Sequence, residues 1–186
     1  MIMKKLISFL IVLSLAIATL HAKQIKLLAI GNSFSEDALE YYLHGLAAAS
    51  GDTIIIGNMY IGGCSLERHY NNSINNSSTY SYRKIIDGVK ITTPDFNLID
   101  AIVDEDWDYI SLQQVSSLSG QLESYFPYIN HLIEFVKEHS TNPDVDFVLH
   151  ATWAYEQSST HVGFANYDND QTSMYNAIID ATNRVA

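Results

Sequence analysis

The stretch Ile25-Lys-Leu-Leu-Ala-Ile-Gly-Asn-Ser-Phe-Ser-Glu-Asp37 joins an apolar run to a short polar turn and an acidic segment. The apolar run predicts a buried β-strand, and the acidic segment is typical of a helix start. A hydroxyl in the turn between them lies at the carboxyl end of a strand, where open α/β sheets bind their ligands. Ser33 is therefore the candidate nucleophile. The alternative is that Ser33 or Ser35 only caps the helix, which is a frequent role of serine.

The rest of the chain repeats this alternation of strand and helix patterns. Further strands are predicted at Thr53 to Met59, Tyr109 to Gln114 and Asp146 to Thr152, and helices at Glu36 to Ser50, Asp95 to Val103, Gln121 to His139 and Asp170 to Val185. Asp87-Gly88 predicts a β-hairpin between Tyr80 and Thr93, and Gln157 to Asn169 is predicted to be a polar loop. This order predicts an α/β fold: a three-layer α/β/α sandwich with a mainly parallel sheet and a small inserted hairpin.

The amino terminus has the pattern of a secretory signal peptide at residues 1–22. Lys4 and Lys5 precede an apolar run from Leu6 to Leu20, and Ala22 offers a small residue before a cleavage site. The run is shorter than a membrane-spanning helix requires, so we expect cleavage rather than a stable membrane anchor. Residues 23–186 then form one domain, and the protein is expected to be exported to the periplasm or the extracellular space.

The charge of the chain excludes some function classes. The net charge is −11, and removal of Lys4 and Lys5 takes it to −11 − 2 = −13. So acidic a chain is unsuited to nucleic-acid binding, which needs clustered lysine and arginine. One cysteine, Cys64, excludes a disulfide within the chain. Histidine and acidic residues show no metal-ligand spacing, so neither a metal nor another cofactor is expected.

Two more predicted strands end in groups that suit an active-site crevice. Gly62 and Gly63 follow the second strand, and either glycine could turn a backbone N–H into the crevice beside Ser33. The alternative for this corner is an ordinary turn. Gln113 and Gln114 end the next strand, and a glutamine amide offers two N–H donors.

Together these motifs resemble the SGNH (GDSL-like) hydrolase superfamily, in its branch of secreted esterases and acetylesterases. Gly31-Asn32-Ser33 resembles the family's Gly-Asp-Ser block, and Gly63 resembles the glycine of its second block. Gln113 stands where the third block usually carries Gly-x-Asn-Asp. The resemblance covers roughly residues 25–155, and it implies a flavodoxin-like sheet.

The resemblance also implies an activity. Ser33 would attack an ester, most plausibly an O-acetyl or short acyl group on a carbohydrate. The N–H groups of Ser33 and Gly63 and the Gln113 side chain would hold the oxyanion. The residues expected to line the binding crevice are Asn32, Gly62, Gln114 and Trp153. No partner besides a small-molecule or glycan ester is implied, and the oligomeric state is left open.

The sequence departs from the family pattern at its end. The late Asp-x-x-His block that supplies the family's general base does not occur after Tyr155, so we expect a chain that is incomplete at its carboxyl end or has lost this block. His150 is the best internal substitute, although a hydrogen-bonded structural histidine is the favoured interpretation. His69, near the glycine corner, is the second.

Two other hypotheses compete with the hydrolase. A pseudoenzyme or glycan-binding module would keep an aromatic crevice built from Tyr60, Trp153 and Tyr155 without a working base. A sheet that binds a small anion at Gly31 ranks last, because the turn lacks the glycine pattern of a phosphate-binding loop.

Overall fold

The computed structural model describes residues 23–186. The predicted signal peptide lies outside the described residues. The strands are β1 (Gln24–Gly31), β2 (Thr53–Tyr60), β3 (Tyr80–Ile86), β4 (Val89–Phe96), β5 (Tyr109–Leu112) and β6 (Asp146–Leu149). The α-helices are α1 (Ser33–Ser35), α2 (Leu43–Ala49), α3 (Leu66–Ile74), α4 (Leu98–Ile102), α5 (Tyr128–His139) and α6 (Gln171–Val185). None of these described helices is long and apolar enough to cross a bilayer.

One six-stranded sheet, in the order β4-β3-β2-β1-β5-β6, forms the centre of the fold. β1 pairs in parallel with both β2 and β5, and β5 pairs in parallel with β6. The predicted α/β class with a mainly parallel sheet is therefore confirmed. Because these four strands run the same way, their carboxyl ends meet along one edge of the sheet.

β3 and β4 make the sheet mixed. They are joined at Asp87 and Gly88, both with positive φ, and pair antiparallel with each other. β3 also pairs antiparallel with β2, so the two strands extend the main sheet at one side.

Two apolar clusters pack on opposite faces of the sheet. Leu28 and Ile30 of β1 belong to the larger cluster, which includes Trp107 and residues of α3, α4 and α5. Ile25 and Leu27 pack in the smaller cluster, which includes Leu39 and Leu43 near the start of α2. This alternation follows from the pleat, since successive side chains of a strand point to opposite faces.

The first predicted helix is broken into pieces. Glu36–Glu40 forms a π-helical turn between α1 and α2. The side chain of Glu40 is fully buried there, pairing with Arg83 and accepting a hydrogen bond from Asn58 Nδ2 at 2.7 Å. A π-turn commonly marks a functional or strained position, and here it places a carboxylate against the sheet.

Two predicted helix starts were wrong by several residues. Strand β4 runs on to Phe96, and Asn97 caps α4 by accepting the Asp100 N–H at 2.9 Å. Helix α5 begins at Tyr128, not at Gln121, because the residue before it is Pro127, whose ring has no N–H to donate.

The predicted polar loop at Gln157 to Asn169 contains a 3₁₀ segment, Val162–Tyr167. Phe164 and Tyr167 in this segment are buried and pack against Met174 and Ile178 of α6. The segment thus fixes α6 to the rest of the domain.

Candidate functional site

Ser33 lies in the turn after β1, and the residue is exposed to solvent. The N-cap of α1 is the neighbouring Asn32, whose Oδ1 accepts the Phe34 N–H at 3.2 Å. Ser33 therefore does not serve as the helix cap. Ser35 does not either, because its buried hydroxyl donates to the Asn32 carbonyl at 2.7 Å. Of the two serines in this turn, Ser33 is the exposed one and Ser35 is buried.

Asn32, at the end of β1, is hydrogen-bonded to the segments after β2 and β5 that carry the other predicted site residues. Its Nδ2 donates to the Cys64 carbonyl at 3.1 Å and to the Gln114 carbonyl at 3.2 Å. Its backbone N–H donates to Gln113 Oε1 at 3.2 Å. Asn32 itself is 1% exposed. The turn of Ser33, the glycine corner and the end of β5 are thus bonded to one buried residue, which positions the site and does not line it.

The glycine corner, formed by Gly62 and Gly63, is open to solvent and has a backbone turn that favours glycine. Gly63 has φ of +62°, in the left-handed region that favours glycine, and a Cβ added there would meet nothing within 4 Å. Gly62 and Gly63 are both exposed. Within residues 23–186 neither the Ser33 N–H nor the Gly63 N–H has a hydrogen-bond partner. Both groups remain available to an anionic oxygen.

The two glutamines differ in what their amides do. Gln114 Oε1 accepts from the N–H groups of Leu66 and Val115, and its Nε2 donates to the Ser124 carbonyl and hydroxyl. These bonds leave the Gln114 amide no free atom for a ligand, and we assign it a positioning role.

Gln113 keeps one free donor. Its Oε1 accepts the Asn32 N–H, but its Nε2 is buried and has no partner within the described residues. An unpaired buried donor costs free energy, about 1–3 kcal/mol, unless a ligand satisfies it. The same atom is closed to solvent, so an ester oxygen can reach it only if the surrounding side chains move.

A network of polar side chains below the turn, formed by Ser35, Asn58 and Glu40, was not predicted from the sequence. Ser35 Oγ lies 3.0 Å from Asn58 Oδ1, and Asn58 in turn bonds to the buried Glu40. A Cβ added at Gly31 would lie 2.6 Å from Ser35 Oγ, so only glycine fits beside this polar network. The signal that could have found it is Asn58 itself, a polar residue inside an apolar strand pattern.

Of the predicted aromatic crevice, only Trp153 presents an open ring. Its ring centroid lies 4.1 Å from that of Phe34, which follows Ser33 in the chain, and Trp153 is 50% exposed. The Arg83 guanidinium covers the ring of Tyr60, with Arg83 Cζ 3.6 Å from the ring centroid. The Tyr155 hydroxyl lies 2.7 Å from Ser116 Oγ, and its ring packs on Phe164.

None of the histidines of residues 23–186 forms a hydrogen bond with Ser33. His150 directly follows β6, where burial lowers its pKa. His69 is fully buried, and burial followed by the nearby Arg68 charge lowers its pKa to about 3. His161 Nδ1 accepts the Gly163 N–H at 3.0 Å and so caps the 3₁₀ segment. In the same part of the chain, no three histidine, cysteine or acidic side chains cluster as metal ligands would.

We predict that Asn32→Ala destabilises the domain by about 2 kcal/mol, because it removes the helix cap and leaves two buried carbonyls without their donor. Urea unfolding measures this loss. Asn75→Ala, which removes an exposed asparagine at the end of α3, is the control and is expected to change stability by less than about 0.5 kcal/mol. Equal stability of the two variants would contradict the positioning role of Asn32.

The sequence matches one family model, DUF4886, a domain of unknown function, over residues 26–186. No curated protein matches the chain. A DUF4886 family protein from Bacteroides uniformis ATCC 8492 has a crystal structure with a TM-score of 0.85 and 49% sequence identity. That similarity covers 88% of this chain and 63% of the Bacteroides uniformis protein, so this chain spans less than two thirds of its relative's length.

A second solved structure is more distant. It is a protein from Slackia heliotrinireducens described as a "putative SGNH hydrolase", with a TM-score of 0.52 and 17% identity over 89% of this chain and 74% of that protein. At this identity the similarity shows the fold alone. The α/β fold of this chain is thus compatible with an SGNH-like fold.

Proposed function

The chain belongs to the DUF4886 family, and we propose that it is a secreted SGNH-type serine hydrolase with a three-layer α/β/α arrangement. Its substrate in this proposal is an O-acetyl or short acyl ester on a carbohydrate. Residues 1–22 would act as its signal peptide, directing it to the periplasm or the extracellular space. The fold of the Slackia heliotrinireducens protein supports the superfamily part of the proposal.

One observation carries the proposal: the exposed Ser33 directly follows a buried asparagine that is hydrogen-bonded to the segments carrying the unpaired N–H donors. Ser33 stands next to Asn32, which is bonded to both Gln113 and Cys64. The free N–H groups of Ser33 and Gly63 and the unpaired amide of Gln113 are therefore held around one turn. Preorganised donors stabilise the charge that develops during acyl transfer, and the Ser33 and Gly63 N–H groups are the candidates for this role before any side chain moves.

In the proposed reaction, Ser33 Oγ attacks the ester carbonyl carbon and its proton passes to a general base. The carbonyl oxygen becomes an oxyanion bound by these donors, and its collapse breaks the bond to the sugar oxygen, which takes the proton from the base, and leaves an acyl-serine. Water, deprotonated by the same base, then attacks the acyl carbon, and the Ser33 oxygen leaves and regains a proton as the acid is released. Among the described histidines, His150 is the candidate base, because it follows a parallel strand that ends at the same sheet edge as β1 and its lowered pKa keeps the ring neutral.

A fluorophosphonate tests the nucleophile directly. We expect Ser33 Oγ to bond to phosphorus with loss of fluoride, and peptide mass spectrometry to locate the added mass on Ser33. Ser33→Ala should stay unlabelled. Ser35→Ala, which removes the buried hydroxyl two residues away, should still be labelled. An unlabelled Ser33 in the intact chain would contradict the proposal.

The half-exposed Trp153 ring favours a second candidate, a glycan-binding module of the same fold that does not hydrolyse its ligand. Exposed tryptophan rings with a polar edge suit partly wet binding surfaces. Glycan binding with no labelling of Ser33 would select this candidate over the hydrolase.

A further inference from the structure

A cleft beside Trp153, which the sequence predicted to line the binding crevice, is completed by residues of α6 that no sequence pattern indicated. It encloses about 360 Å³ between Trp153-Ala154 and the first turns of α6, where Gln171, Thr172 and Tyr175 line it. Small-molecule pockets have volumes of about 300–1,000 Å³, so this cleft suits a small ligand at the lower end of that range.

Both walls of the cleft offer aromatic rings to solvent. Trp153 is 50% exposed and Tyr175 is 55% exposed. Large aromatic side chains are usually buried by packing, and two of them exposed in one concave site leave apolar faces that a ligand could cover. Flat apolar rings next to hydrogen-bonding groups complement a sugar, which has C–H groups on the faces of its ring and hydroxyl groups at the edge.

The polar groups of the cleft are free and neutral. Within the described residues, the side chains of Gln171 and Thr172 make no hydrogen bond. An amide and a hydroxyl can each both donate and accept, as sugar hydroxyl groups require. The lining contains no charged side chain although the chain carries a net charge of −11, so the cleft suits an uncharged ligand.

The walls are held in place before any ligand binds. The Gln171 N–H donates to Gln157 Oε1 at 2.9 Å, and Asp170 caps α6 by accepting the Ser173 N–H at 2.7 Å. The Tyr155 N–H contacts Met174 Sδ at 3.3 Å, which ties the Trp153 segment to the helix. A rigid cleft loses little entropy when it binds a ligand.

We propose that this cleft, lined by Trp153, Gln171, Thr172 and Tyr175, is a subsite for a neutral sugar unit of the substrate. The contact between Trp153 and Phe34 connects it to the turn of Ser33. The assignment of the bound sugar as part of an ester substrate rests on the proposed function, whereas sugar binding by the cleft does not.

Tryptophan fluorescence of the full chain, excited where tyrosine does not absorb and titrated with xylotriose, cellotriose and N-acetylated chitotriose, tests the subsite. Of the two tryptophans, Trp107 is fully buried, so a change on titration reports Trp153. We expect at least one trisaccharide to bind with Kd of about 1 mM and Tyr175→Ala to weaken it at least about tenfold. Tyr42→Ala, which removes a tyrosine that is 71% exposed elsewhere, should bind as the wild type does.

The outcomes separate this inference from the proposed function. The subsite proposal is overturned if none of these saccharides binds, or if Tyr175→Ala binds them as tightly as the wild type does. Ser33→Ala is expected to keep full saccharide binding, because the hydroxyl is outside the cleft. Loss of the hydrolase proposal through an unlabelled Ser33 would therefore leave the binding result standing.

Discussion

Ser33→Ala is expected to lower kcat/KM for hydrolysis of p-nitrophenyl acetate by at least about a thousandfold, to the rate of nonspecific acylation. The reason is that the other hydroxyl of this turn cannot replace it, because Ser35 is buried and bonded to Asn32 and Asn58. The methyl group of alanine fits the exposed position, so the fold should be unaffected. Release of p-nitrophenol by residues 23–186 and by the variant measures the effect.

The matched control for this experiment is Ser35→Ala. It removes a serine hydroxyl from the same turn, and we expect it to lower stability by about 1 kcal/mol while most of the activity remains. If Ser33→Ala hydrolyses the ester as fast as the wild type, Ser33 is not the nucleophile. A wild-type chain without activity above background would instead favour the glycan-binding module.

The sequence predicted the elements in which local pattern and packing agree. The apolar run before Gly31 had to be a buried strand, and the long helical connection between β1 and β2 predicted a parallel pair. Convergence of Ser33, Gly63 and Gln113 was predictable for the same reason, since parallel strands end at one edge.

What the sequence did not predict depends on contacts between distant residues. The π-helical turn at Glu36–Glu40 places Glu40 beside Arg83, which is 43 positions away in the chain. The role of Asn32 as a bridge could not be read from its neighbours, because its partners Cys64 and Gln114 come from other strand ends. Tyr175 was missed because its exposure depends on how α6 docks against the segment after β6.

The second prediction is that the buried His69 makes the stability of the domain depend on pH. His69 is completely buried, with Nδ1 2.9 Å from the Tyr80 hydroxyl and 3.6 Å from Cys64 Sγ. Its Nε2 has no partner within residues 23–186. Protonation would require both ring nitrogens to donate, and one of them has no acceptor, so burial lowers the pKa to about 3.

The sign of the effect follows from the two pKa values of His69. In the unfolded chain His69 takes up a proton below about pH 6.5, whereas in the folded domain it stays neutral down to about pH 3. Between these values the unfolded state binds more protons, so acid favours unfolding. We expect His69 alone to reduce the free energy of unfolding by about 3 kcal/mol between about pH 7.5 and about pH 4.5.

Urea unfolding of the wild type and of His69→Asn at both pH values isolates this contribution. The asparagine amide keeps a polar atom near the position of Nδ1 but does not titrate. Carboxylates titrate in both proteins, so their effects cancel in the difference between the two pH dependences. We expect His69→Asn to be less stable than the wild type at about pH 7.5 and to lose about 3 kcal/mol less on acidification. Equal losses in the two proteins would mean that His69 becomes protonated in the folded domain, and that its unpaired Nε2 finds an acceptor there.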